Sequence, residues 1–170
     1  MRALKIFLPC LAAVTLAGCA SYHLGPVNGA EAGDKSIEVL PFNNQTFQPR
    51  LGDALTQSLR ERLQADATYH LATRGPGDIL VTGVIRNYSR QGLGYLNTDA
   101  VTPENFRVDV IAHVTAHERL SGKLILDKDI RGHTFVHIGA DLASAERQAL
   151  PLLADDLAQN IAEILDDGAW

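Results

Sequence analysis

The sequence predicts an α+β two-layer sandwich, with two helices packed on one face of a mostly antiparallel sheet of four to five strands. Three observations carry that prediction. Leu51, Leu55, Leu59 and Leu63 recur every four residues, which lines one face of a helix. Phe106 to His117 alternates apolar and polar side chains, the period of a strand with one buried face. Leu150, Leu153, Leu157, Ile161 and Ile164 then lay a second helical stripe near the C-terminus.

Taken in order, Ser36 to Leu40 reads as a strand, ended by Pro41 and the turn-prone run Phe42-Asn43-Asn44-Gln45-Thr46. A helix is expected from about Arg50, just after Pro49, with Arg60, Glu61 and Arg62 mostly facing water. Tyr69 to Ala72 is a short strand, and Gly75-Pro76-Gly77-Asp78 turns the chain into a β-rich run from Ile79 to Ser89. Residues 91–105, with Gly92, Gly94 and Pro103, read as a long loop. The strand Phe106 to His117 turns through Ser121-Gly122-Lys123 into Leu124 to Phe135, completing a four-strand meander. A three-residue loop sets Val114 against Ile130, Val108 against Val136, His117 against Asp127, Thr115 against Asp129 and His113 against Arg131. That register keeps the apolar and polar faces separate, whereas a two-residue loop would mix them. The last helix spans Ser144 to Asp167, and Pro151 either kinks it or marks its start.

The N-terminus is read separately. Arg2 and Lys5 precede an apolar run, Ile6 to Ala17, that is shorter than the roughly 20 residues a membrane-spanning helix needs. Residues 1–18 are accordingly a secretory signal peptide, to be removed. Leu16-Ala17-Gly18-Cys19 resembles a bacterial lipobox, in which Cys19 takes a diacylglyceryl thioether and becomes the first residue of the mature chain. Residues 19–35, rich in small residues, form a lipid-anchored tether, and 36–170 form a single α+β domain. Acyl chains hold such a protein on a membrane without a spanning helix. The only other cysteine, Cys10, lies in the removed segment, so no disulfide or thiolate metal site is expected. Processing leaves 152 residues with 13 basic and 20 acidic side chains, a net charge of −7 that does not favour nucleic acid.

No catalytic constellation assembles. The chain has no phosphate-cradling Gly-Lys-Ser/Thr loop and no nucleophile elbow, and Gly92-Leu93-Gly94 is a lone GxG. His113 and His117 share a face, but four strand residues hold them about 13 Å apart, too far for one ion. Asp155-Asp156 and Asp166-Asp167 are sequential helix pairs, suited to capping and solubility rather than acid–base work. The sequence therefore implies no enzyme, no cofactor and no metal. Arg86, Arg90 and Arg107 are expected to converge near the long loop, where guanidinium groups suit an anion. Leu93, Tyr95 and Leu96, apolar within that loop, are candidate partner contacts.

These features together resemble the LPS-assembly lipoprotein family (LptE-type). The resemblance is carried by Cys19 followed by Tyr22-His23-Leu24, by Ile37-Glu38-Val39-Leu40-Pro41-Phe42-Asn43-Asn44-Gln45-Thr46, and by the Leu-patterned helix. Gly83 in a strand after Asp78, and a terminal helix closing with Gly168 and Trp170, also match. The resemblance covers nearly all of the mature chain and implies two helices on a small sheet, without enzymatic activity. It implies an outer-membrane, periplasm-facing location and a β-barrel partner, the LPS translocon (LptD-type), which the protein plugs and helps assemble. It further implies LPS binding through basic residues near a strand-end loop, with Arg90 the best-matching position. Ala20 after the lipidated cysteine is compatible with outer-membrane sorting. Strands ending Val-x-Pro-Phe-x-Asn also occur in outer-membrane lipoproteins of the curli-secretion and penicillin-binding-protein-activator types. Those, and a small lipid-binding carrier, are the alternatives.

Overall fold

The leucine stripe and the alternating strand dictate two complementary apolar surfaces, and the fold closes one on the other. In the computed structural model, which describes residues 34–66, 68–96, 99–137 and 141–167, the elements run in the order β1 (Ser36–Val39), β2 (Asn43–Asn44), α1 (Leu51–Asp66), β3 (His70–Leu71), β4 (Ile79–Leu96), β5 (Asp99–Glu118), β6 (Leu124–His137) and α2 (Leu142–Asp166). The signal segment, Cys19, Tyr22-His23-Leu24, nearly all of the tether, Gly168 and Trp170 lie outside the described residues.

The strands form one mixed sheet of order β3-β1-β4-β5-β6, with β2 pairing separately on β4. Both helices cover one face, so the two-layer α+β architecture is as predicted. Leu51, Leu55, Leu59 and Leu63 of α1 are fully buried, as are Leu157, Ala158 and Ile161 of α2. They meet Val81 and Ile85 of β4 and Val110, Ala112 and Val114 of β5 in one core. The C-terminal ends of the helices meet, where the Tyr69 hydroxyl donates to the Leu165 carbonyl at 2.8 Å.

Four expectations are corrected. The meander has three strands, β4 to β6; the residues read as its first strand form β3, which pairs parallel with β1 through Ser36↔His70 and Ile37↔Leu71. A β-α-β crossover, not a hairpin, thus builds that edge. Residues 91–105 are not a loop: β4 and β5 stay paired through Gly92↔Phe106, Leu93↔Asn105 and Tyr95↔Pro103. The turn-prone Asn43-Asn44 is a short strand against Val84 and Ile85. Finally, the β5–β6 register is offset by two residues, pairing Ala112 with Ile130 and Val114 with Lys128. Thr115 faces Asp127 and His113 faces Asp129, while Val108 faces Thr134 and His117 faces Leu124. A slip of two preserves which face each side chain takes, so the polar and apolar sides are those the alternation predicts, with different partners. An irregularity between Ala116 and His117 absorbs an extra residue and lets consecutive Ile125 and Leu126 both bury.

The last helix starts at Leu142 and continues through Pro151. Asp141 caps it, accepting a hydrogen bond from the Ser144 amide at 2.7 Å. At the free edge of β6, Asp156 of α2 accepts from the His133 amide at 2.8 Å, and Asn160 donates to the Arg131 carbonyl at 2.9 Å.

Candidate functional site

Strand β1 fixes where the site forms, because the segment after it must fold over the sheet before α1 can begin. The Phe42 amide donates to the buried Thr56 hydroxyl at 3.0 Å, which itself donates to the Gly52 carbonyl at 2.7 Å. The Phe42 ring lies on Gly83, where a Cβ would run into it. Asn44 then shapes the turn: its carbonyl oxygen accepts from the Thr46 amide and hydroxyl, and its amide donates to the Gln48 carbonyl. The result projects Phe47 wholly into solvent, at 106% relative exposure. Arg50 follows with a positive φ of 64° immediately before α1.

On the adjoining strand, a bulge falls at Arg86, since Ile85 pairs with Ala112 and Asn87 with Ile111. Arg86 and Asn87 are both exposed there. Between this bulge, the Asn44–Gln48 turn and the first turns of α2 lies a groove of about 410 Å³, lined by Gln45, Thr46, Phe47, Gln48, Arg86, Asn87, Tyr88, Arg90 and Glu146. Glu146 organises one wall: Arg90 pairs with it at 2.9 Å and the Tyr88 hydroxyl lies 3.4 Å away. Burial, reinforced by the Glu146 carboxylate, pushes the Tyr88 phenol up to about 12, so it stays a neutral donor. Arg86 reaches instead to Asp129, at 3.4 Å.

Two of the three predicted arginines therefore line one groove and the third does not. Arg90 pairs across the strands with buried Val108 and stands on the helix side of the sheet. Arg107 pairs with Gln91, its side chain on the opposite face, where it holds Asp109 at 2.9 Å beside the exposed Phe135. Alternation makes this unavoidable, because neighbouring positions on a strand point to opposite faces. Leu93 is half-buried in the β4–β5 ribbon; Tyr95 and Leu96 are placed by backbone pairing with Pro103 and Asp99. Sequence reasoning missed Gln45, Phe47, Tyr88 and Glu146. The signal that could have found them is the Asn-x-Thr turn following the strand, which fixes where Phe47 emerges.

Two of the hairpin histidines, His113 and His133, lie beside carboxylates, and His137 meets the Asn105 side-chain oxygen at 2.8 Å. His113 lies 2.8 Å from Asp129 and 3.2 Å from Asp127, rather than opposite Arg131, and His133 lies 3.6 Å from Asp156. Among the described residues no group of three or more His, Cys, Asp or Glu side chains is arranged to hold a metal ion. No described helix is long and apolar enough to cross a membrane.

The sequence model described as LptE, lipopolysaccharide-assembly, matches residues 35–163, which span the whole sheet and nearly all of both helices. The chain belongs to the LptE lipopolysaccharide-assembly family. No curated protein matches it in sequence. Among solved structures, this LptE-family chain is similar to the hypothetical protein CT253 from Chlamydia trachomatis, at TM-score 0.54 and 11% identity over 79% of this chain and 97% of that one. Protein XCC0632 from Xanthomonas campestris superposes at TM-score 0.52 and 12% identity, covering 84% and 93%. A subunit of the PelC dodecamer from Paraburkholderia phytofirmans gives 0.50 and 16%, covering 81% and 92%. At these identities the likeness establishes a shared fold, two helices on a small sheet.

Proposed function

We propose that this LptE-family protein is a non-catalytic outer-membrane lipoprotein, anchored through acyl chains on Cys19 and facing the periplasm. It seats within a β-barrel LPS translocon (LptD-type), helps assemble that barrel and binds lipopolysaccharide. The observation that carries the reading is the family match over residues 35–163. The groove supports its ligand-binding part. Arg90 supplies a guanidinium group for phosphate, with Arg86 lining the groove beside it; Gln45 and Asn87 supply amides for sugar hydroxyls, and the exposed Phe47 ring supplies an apolar contact. The helix-free sheet face supports the seating part. It carries Thr82, Thr115, His113, Asp129 and Arg107, a polar surface compatible with a polar barrel lumen. Leu93, Tyr95 and Leu96 on the ribbon are the proposed contacts to the barrel wall.

The test is a pull-down of tagged, lipidated protein from detergent-solubilised outer membrane, with the partner identified by mass. A stoichiometric large β-barrel is the expected outcome. Homo-oligomers or a cell-wall synthase in its place would overturn the translocon role in favour of the pore-type or activator-type alternative. Deleting residues 91–103 should weaken barrel capture while leaving the helical circular dichroism signal intact. Full-yield capture by the truncated protein would remove the ribbon from the interface. Arg90→Ala should weaken LPS binding by about 10-fold, the scale of one charge-assisted contact.

A further inference from the structure

The groove lies at one end of the sheet; the other end, where the chain comes in at Lys35, carries an unassigned surface. The β5–β6 turn there is bound tightly to its surroundings. The Arg119 amide donates to the Asp78 carbonyl at 2.7 Å, its Nε to the Gly77 carbonyl at 3.0 Å, and its Nη2 pairs with Glu38 at 2.6 Å. The Gly122 amide donates back to the Glu118 carbonyl at 2.8 Å, and the Lys123 amide to the Ser121 hydroxyl at 3.1 Å. Gly122 closes the turn at a φ of 69°, a conformation open to glycine. Within this satisfied frame one side chain is left out: Leu120 is 98% exposed, with Leu124 beside it at 47%.

We propose that this turn, presenting Leu120 and Lys123, is a membrane-contact surface that docks the domain on an anionic phospholipid headgroup layer. The inference rests on the reading that Cys19 is lipidated. Three features of the turn fit that occupant. The Glu118, Arg119, Gly122 and Lys123 amides and the Arg119 side chain are already hydrogen-bonded inside the protein, which lowers the cost of entering the interface. Its carboxylates are committed: Glu118 to Lys35 at 2.8 Å, Glu38 to Arg119, and Asp78 to the Ser36 amide and hydroxyl. Ion pairing and hydrogen bonding hold Glu118 and Asp78 below the usual carboxylate range. Among the described residues Lys123 makes no side-chain ion pair, so it remains available to lipid phosphate. An exposed leucine next to such a cation is the pairing that interfacial lipid contacts use.

One leucine and one lysine bind a vesicle weakly when free in solution. Here sixteen residues separate Cys19 from Ser36. Even fully extended they hold the domain within about 55 Å of the bilayer. At that range the effective concentration of the surface is of millimolar order, enough to populate a weak contact. The acidic groups Asp66 and Asp167 lie at the same end but on the helix layer. Their repulsion tilts the sheet side, and not the helix ends, toward an anionic surface.

The mature lipidated protein has no free thiol, which permits site-specific spin labelling. A nitroxide on Ser121→Cys and a control on Ser89→Cys, far along β4, would be compared in vesicles of phosphatidylethanolamine and phosphatidylglycerol. Collision rates with oxygen and with a water-soluble nickel complex would be read by electron paramagnetic resonance. The oxygen-to-nickel accessibility ratio is expected to be several-fold higher at position 121 than at 89, and to fall to the control value when Leu120→Glu and Lys123→Glu are added. Equal ratios at the two positions in protein that intact mass shows to be acylated would overturn the docking surface alone. Absence of acyl chains in the mass would overturn the anchor and the docking surface together.

Discussion

Phe42 occupies the space that a side chain at position 83 would need, and Gly83 leaves it open. The pair joins the strand-to-helix turn to the central strand, which positions Phe47 and the groove. Gly83→Ala should therefore destabilise the fold by about 1–3 kcal/mol through overpacking, lowering Tm in thermal unfolding. A second residue-scale effect sits where the helices meet. Burial, together with neighbouring Asp66 and Asp167, raises the Asp166 carboxyl from 3.8 to about 7. One of its oxygens is buried without a partner. Because the folded state holds this proton more tightly than the unfolded chain, stability should fall as pH rises from about 4 through about 7. Asp166→Asn removes the penalty. It should stabilise the protein by about 1–2 kcal/mol at pH 8, allowing for solvent screening at this half-exposed site, and change little at pH 4. Denaturant melts at the two pH values check both halves.

At the scale of elements, the long β4–β5 ribbon shows what a single chain's pattern conceals. Gly92, Gly94 and Pro103 each disfavour a strand, so local propensity reads a loop. Cross-strand pairing overrides propensity, and pairing is a property of two segments at once. The same reason hides the bulge at Arg86 and the two-residue offset in the β5–β6 register. What local periodicity does determine was legible: both helical stripes, the buried face of β5, and the layer order. The candidate site was legible only in part, since Arg86 and Arg90 share the groove while Arg107 stands on the other face. One prediction belongs here. Asp156 and Asn160 each satisfy a backbone group of β6, and replacing both with alanine should cost about 1–3 kcal/mol in urea unfolding. Amide exchange at His133 should accelerate in the same variant.

For the molecule as a whole, the direction of the strands separates two ends. Ser36 and the β5–β6 turn lie at one, and the groove and ribbon at the other. From Ile79 to Arg90 the sheet spans about 36 Å at strand rise. A ligand held at Arg90 is thus offset by that length from the place where the chain comes in. Arg86 pairs at 3.4 Å with a half-exposed carboxylate, so anion binding in the groove should weaken as ionic strength rises. Titration of a phosphorylated sugar against the protein at 50 and 300 mM salt measures it, and a salt-independent affinity would remove the arginines from the contact. The helix-capped margin of β6 bears on the same setting. In the role proposed above, the protein would work among barrel strands still seeking neighbours, any of which could zip onto an unguarded sheet. By closing two backbone groups of β6 with Asp156 and Asn160, this fold leaves such strands less to copy along that edge. On the proposed role, that guarded edge lets the domain attend the assembly of a β structure without pairing into it through β6.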